Sequence, residues 1–182
     1  MKPIANNAAL LLSFFLCLSF LPLLNAAGNN SLVAETCQKA KYKDLCISSL
    51  EAEYASQDAD LAALALIAVE VASKNGSDTS VYIKKTLDGT NLEPTVEQNF
   101  EDCSENYVSA MEQLDDSLEA LVSKNYEDVK TWLEAAITDA TTCETQLIKQ
   151  SPGEEMELFN KNNVFRQLCS NALDIVNLLA TN

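Results

Sequence analysis

Cysteine and carboxylate are the reactive side chains this chain offers in number: six cysteines and 27 aspartates and glutamates, against 12 lysines and arginines and no histidine. Without an imidazole the usual base for an activated serine or cysteine is missing, and so is the commonest nitrogen ligand for zinc. Catalytic triads and zinc sites are therefore not expected. No glycine-rich phosphate loop occurs, and Asp58-Ala59-Asp60 and Asp88-Gly89 lack the remaining ligands of a calcium loop. Paired carboxylates can hydrolyse a glycoside, but only across a sugar-sized cleft, which narrow helical bundles with short loops seldom offer. The expectation is a protein with no catalytic residue, no metal and no cofactor, whose cysteines and acids serve structure and recognition.

Residues 1–28 hold one cation, Lys2, then an apolar run over 8–24 broken only by Ser13, Ser19 and Pro22, then Ala26, Ala27 and Gly28. That order is a secretory signal peptide with cleavage near 26–28. The apolar run over 61–71 is far below the ~20 residues of a membrane helix, so no membrane partner is expected. Cys17 leaves with the leader. Cys37, Cys46, Cys103, Cys143 and Cys169 stay in a single domain over 29–182, in an oxidising compartment where that count gives two bridges and one spare thiol. Spacing alone leaves fifteen arrangements open, five choices of odd cysteine with three pairings each. Sequons at Asn29 and Asn75 fit secretion, Asn29 being the poorer acceptor at a new N-terminus.

The elements that must position these groups are helices. Glycine and proline number four each, and alternating β-branched runs are missing. Apolar positions recur at helical spacing instead. Leu61, Leu64, Ala68 and Val71 form one stripe, expected to end near the breaker Asn75-Gly76-Ser77. A second runs Phe100, Cys103, Tyr107, Met111, Leu114, Leu118 and Leu121; a third Val129, Leu133, Ala136, Ala140, Cys143 and Leu147; a fourth Phe165, Leu168, Ala172, Ile175 and Leu179. Four such helices with short connections bury their stripes as an antiparallel bundle over 57–182. Upstream, over 29–56, a single helix would hold Cys37 and Cys46 about 13.5 Å apart, so a bridge between them requires a reversal around Lys41-Tyr42-Lys43-Asp44 and hence a helical hairpin. Cys103 and Cys143 fall on the stripes of consecutive helices and can face each other.

The formal charge of −15 repels nucleic acid, anionic membranes and acidic polysaccharide, and points to a basic protein partner. It is unevenly spread: residues 86–123 contain ten acids and no lysine or arginine. At about 100° per residue, Glu105, Ser109, Glu112, Asp116 and Glu119 lie opposite the stripe of Cys103, Tyr107 and Leu114, forming an outward acidic face suited to docking.

The cysteine surroundings Thr36-Cys37-Gln38-Lys39 and Asp44-Leu45-Cys46, the run Asp102-Cys103-Ser104-Glu105-Asn106-Tyr107, the segments around Ala135-Ala136 and Thr142-Cys143-Glu144, and Leu168-Cys169 resemble plant inhibitors of pectin methylesterase and invertase. The resemblance spans residues 37–179. It implies an all-α fold, an up-down-up-down four-helix bundle preceded by an N-terminal helical hairpin, with bridges Cys37–Cys46 and Cys103–Cys143 and Cys169 as a free thiol. It further implies a non-covalent one-to-one complex in which the middle bundle helices cover the enzyme's pectin cleft, with contacts at Glu105, Ser109 and Glu112 and at Lys130, Asp139 and Thr142.

Invertase inhibitors of this kind often carry Pro-Lys-Phe in the connection into the third bundle helix; here it reads Lys124-Asn125-Tyr126-Glu127-Asp128. That departure, with the Cys-Ser-Glu-Asn-Tyr run, resembles the pectin methylesterase branch, with acid invertase the alternative target. The expected setting is extracellular, in the apoplast and cell wall, or vacuolar for a vacuolar invertase, with no direct pectin or nucleic-acid binding. Ser109 stands where the family often has an acid, and Lys130 where it can have asparagine. A helical carrier of small apolar molecules, or a helical signalling ligand, is the rival class.

Overall fold

The structure is a computed structural model that describes residues 30–89, 91–147 and 153–181; the leader and Asn29 lie outside them. The described residues open with two short helices, α1 (Asn30–Cys37) and α2 (Lys43–Glu51). A Cys37–Cys46 bridge holds their Cα atoms 5.6 Å apart, so the chain does reverse between them. The turn occupies 38–42, closed by Lys39 N–H to Thr36 O and Ala40 N–H to Cys37 O, both 3.1 Å. Lys43 and Asp44 thus belong to the first turn of α2, not to the reversal. The hairpin is hooked onto the far end of the chain: Lys41 N–H donates to Asp174 at 2.7 Å, and the Asn171 amide accepts from and donates to the Tyr42 backbone at 3.0 Å.

A 3-10 turn (Tyr54–Asp58) leads to four long helices, α3 (Leu61–Gly89), α4 (Pro94–Val122), α5 (Tyr126–Gln146) and α6 (Glu154–Thr181). Asp60 caps α3 by accepting from Ala63 N–H at 2.8 Å, and Pro94 opens α4 where no intrahelical donor is needed. Each helix packs on its sequence neighbours and α6 closes on α3, the up-down-up-down arrangement. Among the described residues there are no strands.

The third stripe is buried at every position read from the sequence. The second is shifted: Ala110 and Ser117 take fully covered positions while Met111 and Leu118 sit at its edge. The expected break at Asn75-Gly76-Ser77 does not occur, because α3 runs through it to Gly89. Gly76 is buried, and a Cβ there would lie 2.7 Å from both Met111 Sδ and Phe165 Cε2. The glycine lets α4 and α6 side chains approach the α3 backbone; it does not end the helix. On α6, eleven residues precede Phe165 and bury Leu158 and Asn162.

Asn162 organises a polar layer in the core. Tyr107 Oη donates to Asn162 Oδ1 at 3.1 Å, and Asn162 Nδ2 donates to the Ala140 carbonyl at 2.8 Å, joining α4, α6 and α5. Burial pushes the Tyr107 phenol up, with Thr79 of α3 opposing. A layer of this kind fixes register, since a slipped helix strands buried polar groups.

Candidate partner-docking face

The second bridge sets the geometry of α4 against α5. Cys103 and Cys143 are joined with Cα atoms 4.7 Å apart, closing a sequence separation of 40 residues. By the loop-closure estimate it stabilises by about 4 kcal/mol, and the hairpin bridge by about 2.5–3. With that register fixed, Glu105, Ser109, Glu112, Asp116 and Glu119 all emerge exposed on the outer side of α4. Ser109 Oγ donates to the Glu105 carbonyl at 3.4 Å.

The α5 candidates divide. Asp139 is half-buried toward α4: burial pushes its carboxyl above the ordinary carboxylate value, and a hydrogen bond with Gln113 of α4 opposes this. Asp139 Oδ2 and Gln113 Oε1 are shielded from solvent and accept no hydrogen bond among the described residues. Thr142 is exposed beside them, its hydroxyl donating to Thr138 O at 2.9 Å. Lys130 lies nine residues from Asp139, which is about 180° around the helix. It faces the α6 side of α5 with Glu144, where Arg166 of α6 binds Glu144 at 2.9 Å, and it pairs with Glu127 at 2.6 Å. Five of the six expected contacts therefore share one face, and Lys130 does not join them.

Trp132 was not among the sequence candidates. It lies seven residues before Asp139, about two turns away on the same flank, and is 37% exposed. Its position on that flank follows from helical spacing alone, once Asp139 is chosen. Asn75, the other sequon, sits half-buried in the middle of α3 with its Oδ1 covered. Among the described residues no group of three or more histidines, cysteines, aspartates or glutamates could hold a metal ion, and no helix is long and apolar enough to cross a membrane.

The sequence profile of the plant invertase/pectin methylesterase inhibitors matches residues 31–175. The chain belongs to this family. As an inhibitor it is 28% identical over 177 residues to the pectinesterase inhibitor of Actinidia deliciosa, covering 95% of each chain. It is 31% identical over 124 residues to a cell wall/vacuolar inhibitor of fructosidase of Arabidopsis thaliana, covering 68% of this chain and 69% of that one. Its fold matches the crystal structure of a mutant form of a pectin methylesterase inhibitor from Arabidopsis with a TM-score of 0.69 and 25% identity, over 78% of this chain and 93% of that one. The family inhibitor is not a catalyst, and its partner is an enzyme of the pectin methylesterase or invertase kind.

Proposed function

We propose that this inhibitor acts on pectin methylesterase, forming a non-covalent one-to-one complex in which the outer faces of α4 and α5 cover the pectin-binding cleft. The observation that carries the choice of target is the α4–α5 connection. It is a tight turn pulled back onto α4: Lys124, at φ 57°, donates its N–H to Leu121 O at 3.0 Å, and Asn125 donates to Ala120 O at 2.9 Å. No loop projects from it, and it lacks the Pro-Lys-Phe motif that resemblance assigns to invertase inhibitors at this point. Glu105, Ser109 and Glu112 of α4 and Asp139 and Thr142 of α5 make the contacts; Lys130, on the far flank, is left out. The acidic surface meets the enzyme and not pectin, which is itself acidic.

Residues 1–28 direct the chain into the secretory pathway, and 29–182 act in the cell wall as one domain, with Asn29 and Asn75 as glycan acceptors. Acid invertase is the second reading, supported by the relative named as an inhibitor of fructosidase, which is 31% identical over 68% of the chain, against 28% over 95% for the pectinesterase inhibitor. Titration of the purified mature chain against a plant pectin methylesterase and an acid invertase side by side tests both. Stoichiometric loss of methylesterase activity alone is the expected result; loss of invertase activity alone overturns the choice of target. Loss of neither, with fatty-acid binding, would return the chain to the carrier class.

A further inference from the structure

Trp132 is the only tryptophan in the chain. A lone exposed apolar residue is ordinary on a protein surface, so its setting decides what it means. Trp132 lies eleven residues before Cys143, and Leu114 eleven after Cys103, so the bridged register sets α4 residues near 113–117 level with the indole. On the flanks that meet along this seam stand Gln113 from α4 and Asp128 and Asp139 from α5, with Asp116 farther round on the outer side of α4. α4 has no lysine or arginine at all, and the nearest cation in sequence, Lys130, is on the opposite flank of α5 and tied to Glu127. The indole therefore sits in a field of one sign.

These features call for a group that brings donors only, carries positive charge, is planar, and sheds water readily. Among protein side chains that is arginine, whose guanidinium has five donors and no acceptor and stacks on aromatic faces. A second copy of this face would be as acidic as the first and is repelled. We propose that the α4–α5 seam receives a basic segment of the target enzyme, with an arginine stacked on Trp132 and neighbouring basic groups facing the carboxylates of Asp128 and Asp139. The partner's identity rests on the pectin methylesterase reading; the chemistry of the seam does not.

Because the chain has one tryptophan, substitution with 5-fluorotryptophan gives a single fluorine resonance that reports the seam directly. The mature inhibitor labelled in this way is titrated with pectin methylesterase and, separately, with tri-arginine peptide. The resonance is expected to shift with both. Trp132→Ala should weaken inhibition about thirtyfold and Trp132→Phe much less, with Tyr54→Ala, an exposed ring in the hairpin region, as the unaffected control. Inhibition that survives Trp132→Ala unchanged, with a resonance that ignores the enzyme, overturns the inference and leaves the proposed function standing. If no enzyme is inhibited, a tri-arginine shift that disappears in Asp128→Asn/Asp139→Asn upholds the seam while the target reading falls. A resonance that responds to neither titrant overturns it outright.

Discussion

On the flank of α5 that meets α6, charges find partners inside the protein: Arg166 Nε binds Glu144 at 2.9 Å and Lys130 binds Glu127 at 2.6 Å. On the flank that meets α4, Asp139 keeps a covered oxygen that receives no hydrogen bond among the described residues, and Trp132 stands partly in solvent. Both flanks belong to one helix of 21 residues, and both pack on a neighbour of similar length. The difference is that one flank is satisfied by folding and the other is left incomplete. An incomplete flank costs stability in the free protein, and a site that a partner completes has that character.

The largest effect should come from reversing charge on the open side. Glu105→Lys with Glu112→Lys is expected to weaken inhibition about a hundredfold, equivalent to roughly 3 kcal/mol, with an unchanged melting temperature because both side chains are exposed. The same reversal at Glu51 and Glu53 should have little effect on inhibition. Equal losses at both pairs would reduce the acidic face to long-range steering.

Arg166→Met on the closed flank should do the opposite. It breaks a half-buried charged hydrogen bond and is expected to cost about 1–2 kcal/mol, seen as a fall in Tm of about 3–6 °C, with the inhibition constant unchanged. Loss of inhibition without loss of stability would erase the distinction between the flanks.

Asp139→Asn gives a smaller and pH-dependent effect. Burial raises the Asp139 carboxyl, so the folded chain holds that proton to higher pH than the unfolded chain. Its contribution therefore makes the protein more stable as pH falls from neutral through the folded value, levelling off in the ordinary carboxylate range. The asparagine variant should be slightly more stable at neutral pH and lose this part of the slope, as thermal melts across the range will show. The smallest effect is expected from Lys130→Ala. Its exposed i,i+3 pair should contribute less than about 0.5 kcal/mol, and inhibition assays should not register its loss.

Helical spacing alone placed the third stripe, since Val129, Leu133, Ala136, Ala140, Cys143 and Leu147 form an unbroken apolar series. It failed where a residue has two possible uses. Asn75-Gly76-Ser77 has the composition of a helix end, and whether a glycine opens a turn or admits a neighbouring helix depends on Met111 and Phe165, far away in sequence. The first turns of α6 escaped because Asn162, a core residue through its bonds to Tyr107 and Ala140, interrupts the apolar pattern. At the proposed docking face, the exposure of Glu105, Ser109 and Glu112 was legible from the wheel. The grouping of Lys130 with Asp139 came from resemblance, and the nine-residue interval already sets the two on opposite sides of the helix.

Cys169 supplies an internal clock. Its sulfur is fully covered on α6, and burial pushes the thiol up, away from the reactive thiolate. The four bridged cysteines are silent to alkylating reagents, so modification of the native, described chain reports one atom. A reagent reaches that atom only when the packing around Cys169 opens, and when closing is fast the labelling rate reads the free energy of that opening without denaturant. Saturating target enzyme binds only the closed form and should slow the clock in proportion to its excess over Kd, turning a buried thiol into a meter of affinity.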